Sequence, residues 1–280
     1  MPRRLKPWNL GLEFVCEMEI KQLANHIESY SAKGMFLLSA ILLLSCNGEN
    51  VPDCFQNAGE IQRIPVEVEP FSQITVFENL NLVLRQGEEQ QVELESGEFL
   101  LNEISATVEA GRLILRNENN CNFVRDYGIS TVYVTAPNIS EIRSSTGGLI
   151  SSDGVLTYPN LALISESFNN PETETTDGSF DLELENKRVS IAVNGIAFFE
   201  IRGRTEDFVV FVASGDSRIE AENLVAQNAE VNHRGTNDVF VNPQQRISGV
   251  IRGTGDVISF NRPPEIEVEE IFNGRLLFRD

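Results

Sequence analysis

Between residues 176 and 261 the chain returns five times to a small polar turn followed by a strand: TDGSFDLEL, VNGIAFFEI, ASGDSRIEA, GTNDVFVNP and GTGDVISFN. The turn positions Gly178, Gly195, Gly215, Asn237 and Gly255 are spaced 17, 20, 22 and 18 residues apart. A period near 20 with Gly or Asn at each corner is what a β-solenoid needs. Each coil must turn sharply, which favours residues that tolerate φ > 0, and must lay its strands on those of the coil below. A sandwich or barrel also has short strands and turns, but nothing in it repeats one turn chemistry at one period. The weaker STGGLISSDG around Gly148 opens the series, and the polar, acidic SFNNPETETTDG interrupts it as a loop.

The segments upstream are also strands. SQITVFEN, NLVLRQ, QQVELES, ISATVEA and RLILRN alternate apolar and polar residues with period two. Gly87-Glu88 and Ala110-Gly111 punctuate them as tight turns, and FLLNEI fits one short helical turn. No amphipathic helix of helical length follows Cys46, so the fold class is all-β.

MFLLSAILLLSC, ending at Cys46, is the strongest apolar run in the chain. Phe36–Leu44 is far short of the roughly 20 residues that cross a bilayer, and it has the length of a secretory h-region. A small residue, Ser45, precedes Cys46, as in a bacterial lipoprotein signal, where the cysteine becomes the lipid-modified N-terminus; a plain signal peptide is the alternative. Glu13, Glu17, Glu19 and Glu28 fit poorly in a basic n-region, so the start is read as over-long. The expected organisation is a leader and signal over 1–46, a tether rich in Asn, Gly and Pro over 47–62, and a solenoid domain over 63–280.

From Cys46 onward 17 Lys and Arg face 38 Asp and Glu, and Lys187 is the one lysine among them. Such a surface repels nucleic acid and anionic lipid head groups, so attachment to a membrane falls to the lipid. Cys54 and Cys121 remain after the lipidation cysteine, an even pair that outside the cytoplasm suggests a disulfide; two free thiols are the alternative. Closing that loop is worth roughly 2–4 kcal/mol in the chain-entropy model. A zinc site is disfavoured because the segment holds one histidine, His233.

EPFSQITV, NLVLRQGEEQQVELES, FLLNEISATVEAGRLILRN and STVYVTAPNISEI, followed by RISGVIRGTGDVISF with its SGxGDV-like repeat, resemble the Bacteroidota family of putative autotransporter adhesin head domains over roughly Phe71 to Phe278. HRGTND and VNGIAF depart from the cleaner Ser-Gly-x-Gly-Asp of that family. The resemblance implies a right-handed parallel β-helix or a similar solenoid, and an adhesin role. The lipoprotein-like signal ending at Cys46 leads to the expectation of a cell-envelope protein lipid-anchored to the outer membrane, at its periplasmic face or the cell surface.

No nucleophile constellation, P-loop, dinucleotide fingerprint or calcium nonapeptide repeat is visible, and no cofactor is expected. His233 reads as a surface residue on a coil corner. Glu200, Glu206, Asp207, Asp216, Glu220 and Glu222 fall on neighbouring coils and could serve a carbohydrate-active enzyme, but among 38 acids some always cluster. The expected function is non-catalytic binding of a glycan or protein, with a homo-oligomeric envelope scaffold as the alternative. Phe198, Phe208 and Phe211 are the candidate binding surface, since Phe198 falls on the outward parity of its strand and DFVVFVAS is apolar on both faces. The alternative is that the loop from Phe168 to Asp177 folds over them. The turn ladder Gly215-Asp216, Asn237-Asp238 and Gly255-Asp256 either stacks carboxylates for a cation or sugar, or caps its own turns; the second reading is preferred.

If Cys46 is lipidated, Cys46→Ser blocks processing and shifts the mass of the protein. An unchanged membrane fraction and mobility in that variant would end the lipoprotein reading.

Overall fold

A computed structural model describes residues 56–119, 121 and 128–279. The chain divides into units over Met1–Val51 and Pro52–Asp280, and all described residues lie in the second. The leader, Cys46, Cys54 and the start of the tether therefore lie outside the described residues. Cys121 is disulfide-bonded.

The unit is all-β. Its strands are β1 (Ile61–Val66), β2 (Gln73–Glu78), β3 (Asn81–Gln86), β4 (Gln91–Gly97), β5 (Ile104–Glu109), β6 (Arg112–Asn117), β7 (Thr131–Ala136), β8 (Glu141–Thr146), β9 (Leu149–Leu156), β10 (Asn160–Ser165), β11 (Ser179–Val193), β12 (Phe198–Val212), β13 (Arg218–His233), β14 (Val239–Ile251), β15 (Val257–Ser259), β16 (Glu265–Glu270) and β17 (Leu276–Phe278). All 17 join one hydrogen-bonded network. FLLNEI contributes a single 3-10 turn at Leu101–Glu103. β1 starts inside the segment expected to be tether, because pairing with β4 orders a stretch that lacks alternation of its own.

The long strands β11 to β14 run parallel and in sequence order, each half belonging to a different row. In the first row, the leading halves continue β7, β3 and β9 and lead on to β15 and β17. In the second, the trailing halves continue β6, β2, β8 and β10 and lead on to β16. Hydrogen bonds between successive coils span 18 to 21 residues, the interval that the turn spacing predicts. The early strands depart from uniform parallel stacking: β4 is antiparallel to β1 and β7, and β5 to β6. The hairpin between β5 and β6 turns at Ala110 and Gly111, both at positive φ (50° and 77°), as a two-residue hairpin of matching twist demands.

Parallel register places like residues over one another. Ile150, Phe180, Phe199, Ile219, Val239 and Val257 form one inward column, and the rings of Phe180 and Phe199 stack at 4.5 Å with 6° between their planes. The residues expected to point inward on β11 and β12, from Ile191 and Val193 to Ala197, Phe199 and Ile201, are all buried. One hydrophobic cluster draws on both rows. Tyr158 is buried beside it and donates to the carbonyls of Arg85 and Ala136, and burial pushes its phenol up to about 12.

The corner glycines serve two purposes. Gly215 takes φ +88°, the left-handed region that its turn requires. At Gly195 and Gly255 the reason is proximity: a Cβ would strike the carbonyl oxygen of Thr176 or Asn237 in the preceding coil.

His233 is buried, not on the surface: it lies between Val212 and Ile251 in an inward column. Parity on β13 settles this, since the ring follows Ala229 and Val231 onto the core side. Burial lowers its pKa below the ordinary 6.5, opposed in part by the backbone at Asn237 and Gly255 and by the Asp238 and Asp256 carboxylates. The unfolded chain therefore binds a proton that the folded one does not, and stability falls as pH drops below about 6.5. Melting temperatures of wild type and His233→Leu between pH 8 and pH 5 are expected to show a flatter acid limb for the variant; parallel curves would contradict this.

Candidate functional site

The outer face of the second row is where β11 to β14 bring polar groups together. Arg188, Asp207, Asn228 and Arg246 lie side by side across four successive coils, at the start of the trailing halves. Asn228 Nδ2 donates to Asp207 Oδ1 at 3.0 Å, and Arg188 Nη1 stands 3.9 Å from Asp207 Oδ2. Arg246 pairs with Glu267 one coil further. These groups line a groove of about 220 Å³ together with Val209, Glu230 and Ser248, which lie side by side on the next outward position.

Phe211 stands on the same face, further along β12, and is 45% exposed. Its neighbour in the preceding coil is Ala192, too short to cover the ring, and in the next coil Asn232. The loop over 166–178 leaves it uncovered, because that loop is fastened elsewhere. Glu174 N donates to Ser145 Oγ at 2.7 Å, Arg143 reaches Glu172 at 3.2 Å, and Arg116 reaches Glu174 at 3.1 Å. These anchors are on β6 and β8. Glu166 closes the start of the loop by accepting from the backbone of Phe168 and Asn169.

The three phenylalanines do not form one surface. Phe208 is 1% exposed, in an inward column with Val189, Ala229 and Ile247. Opposite parity allows only one of Phe208 and Phe211 to face out, and the core takes Phe208. Phe198 is half-buried in the other row, between Ser179 and Arg218. The scattered acids separate likewise. Glu200 and Glu220 are neighbours on the outer face of the first row, Asp207 is in the second, and Asp216 is in a turn. Glu220 is held by Arg218 at 2.6 Å. Among the described residues no group of His, Cys, Asp and Glu is arranged to hold a metal ion.

The turn ladder works between coils. Asp238 Oδ1 accepts from the backbone of Asp256 at 3.0 Å, and Asp256 Oδ1 from the backbone of Arg275 at 2.8 Å. Asp216 Oδ1 accepts from Thr236 Oγ1 at 2.5 Å. Capping is thus the role, but of the next coil's turn and not the residue's own. The next coil lies only about 4.8 Å away, within reach of a short carboxylate.

Sequence reading singled out Phe211, which is exposed, and Asp207, but not Arg188, Asn228 or Arg246. Turn spacing alone does not reach them, because the register shifts after Glu200 and Glu220 decide which residue of the next coil lies beside Asp207 and Asn228.

A family model described as "Putative auto-transporter adhesin, head GIN domain" matches residues 70–263. The chain belongs to that family. Among solved structures, a putative adhesin from Bacteroides fragilis shares 17% identity at a TM-score of 0.68, covering 80% of this chain and 99% of its own. A putative adhesin from Parabacteroides distasonis shares 12% identity at 0.58, covering 80% and 99%. A putative lipid binding protein from the same species shares 14% at 0.57, covering 79% and 98%. At such identities the likeness is one of fold. No curated protein matches the chain. The head-domain family match ends at Pro263, so β16 and β17 lie beyond it.

Asp238→Asn keeps the accepting oxygen and is expected to melt like wild type, with or without calcium. Asp238→Ala leaves the amide of Asp256 without its side-chain acceptor and is expected to cost roughly 1–2 kcal/mol. A calcium-dependent rise in melting temperature that Asp238→Asn abolishes would make the ladder an ion site instead.

Proposed function

We propose that this head domain is a non-catalytic binding module of the bacterial cell envelope that recognises a glycan on the outer face of β11 to β14. The observation that carries the reading is the exposed Phe211 on the same face as the Arg188–Asp207–Asn228–Arg246 row. A sugar ring offers an apolar C–H face to an aromatic ring and hydroxyls to planar amide, carboxylate and guanidinium groups. Along the strand the polar row and Phe211 are about 13 Å apart, a length that about two sugar rings span. The strong negative charge of the domain favours a neutral glycan over a polyuronate.

In this reading the body is a right-handed parallel β-solenoid. Acyl chains on Cys46 tether it to the outer membrane, at the periplasmic face or the cell surface, and a Cys54–Cys121 disulfide pins the tether to the first strands. The support is the lipoprotein-like signal and the family's adhesin description.

The test is a glycan array probed with wild type and Phe211→Ala, with product formation assayed in parallel. Loss of the ring is expected to weaken binding about tenfold, roughly 1.4 kcal/mol, while the melting temperature stays unchanged. Equal binding by the variant would move the site elsewhere, and turnover of a bound glycan would restore the enzyme reading.

A further inference from the structure

Among the described residues the stack has an open edge at β16 and β17. Among the described residues, β16 pairs with β14 alone and β17 with β15 alone, so both strands leave one edge without a strand partner. The core is also uncovered there. Ile247 is fully buried, whereas Ile266, which stacks on it, is 40% exposed because among the described residues no strand pairs with the other edge of β16. Val268 is the next inward residue, packed against the core, and Ile271 and Phe272 stand exposed in the turn beyond.

The outward residues of this edge strand are all acidic. Glu265, Glu267 and Glu269 continue the outer columns of Arg246, Ser248 and Val250. Among the described residues, Arg246 pairs with Glu267 and Arg275 with Glu270, and no ion pair reaches Glu265 or Glu269. From Glu265 to Glu269 the strand thus reads acid, apolar, acid, apolar, acid, with the apolar side unfinished, and the alternation ends at Glu270, which lies beside Ile251. It is the half of a pairing whose other half is basic and apolar in the same alternation.

We propose that β16 is an acceptor edge for strand addition, taking an extended segment of a partner protein in which Lys or Arg alternates with aliphatic residues. Backbone hydrogen bonds along the open edge supply the affinity and alternate side chains the specificity. The aliphatic residues cover Ile266 and Val268 and complete the core. The basic residues stack about 4.8 Å from Glu265, Glu267 and Glu269, each opposite its counter-charge. A second copy of the chain does not fit, because β16 against itself would bring two rows of carboxylates directly opposite one another.

Binding of a short capped peptide of alternating Lys and Val to the full chain tests this, measured by calorimetry at physiological salt. The controls are a peptide of the same composition with its lysines grouped together and one of alternating Glu and Val. The alternating basic peptide is expected to bind about tenfold tighter than the grouped one, since charge alone does not distinguish them. The combined Glu265→Lys, Glu267→Lys and Glu269→Lys variant is expected to reverse the preference toward the Glu-Val peptide while melting within a few degrees of wild type. Equal affinity for the grouped peptide reduces the edge to a charged surface and overturns the proposal. So does absence of binding, and so does a concentration-dependent dimer of the wild type that the triple variant abolishes, which would show a second copy on the edge.

Discussion

Hydrogen bonding between parallel, in-register coils is the constraint on which this structure rests. Once Ser179 is beside Phe198 and Phe198 beside Arg218, every later residue of those strands has a fixed neighbour above and below, apart from local bulges. The inward columns then have to be largely apolar, because a polar residue there meets apolar neighbours on two sides. The corners have to be small, because adjacent backbones approach too closely for a side chain, as at Gly195 and Gly255. Buried serines such as Ser144 and Ser165 interrupt the columns, and His233 is a buried ionisable residue there whose protonation opposes folding.

The same stacking makes a chain of net charge −20 tolerable. Like charges in register repel, as along Asp181, Glu200 and Glu220, and arginines on the outer face supply the counter-charge. Arg188 lies over Asp207, Arg202 pairs with Asp181, and Arg246 pairs with Glu267. These pairs are solvent-exposed and each is worth about 1 kcal/mol or less. Their effect is on register more than on stability, since a coil shifted by one residue loses its counter-charges together with its inward alternation. Arginine, planar and able to reach two acids at once, fills this role almost everywhere after Cys46. Arg218 additionally covers the ring of Phe240, turning an outward aromatic into a buried one.

The Phe211 face and the open β16 edge have a common origin. A column that runs along the stack axis can hold different chemistry in each coil as long as the inward neighbour is preserved. The outer column from Arg188 to Glu265 changes residue type at every step, while the inward column beside it, from Val189 to Ile266, stays apolar. Recognition surfaces can therefore be written on the outside of such a fold with little consequence for the core.

The sequence by itself determined the all-β class, the coil interval and the alternation of most strands, because alternation and turn chemistry are local properties of a few residues. It could place Phe208 and Phe211 on opposite sides of β12 but not say which side met the core. It named Asp238 as a cap but assigned it to its own turn, since the amide of Asp256, 18 residues on, is close only once coils are stacked. The polar row from Arg188 to Arg246 depends on how coil lengths and the bulges after Glu200 and Glu220 add up. Only the tertiary structure performs that sum, because each bulge moves every later residue of its strand to a new neighbour.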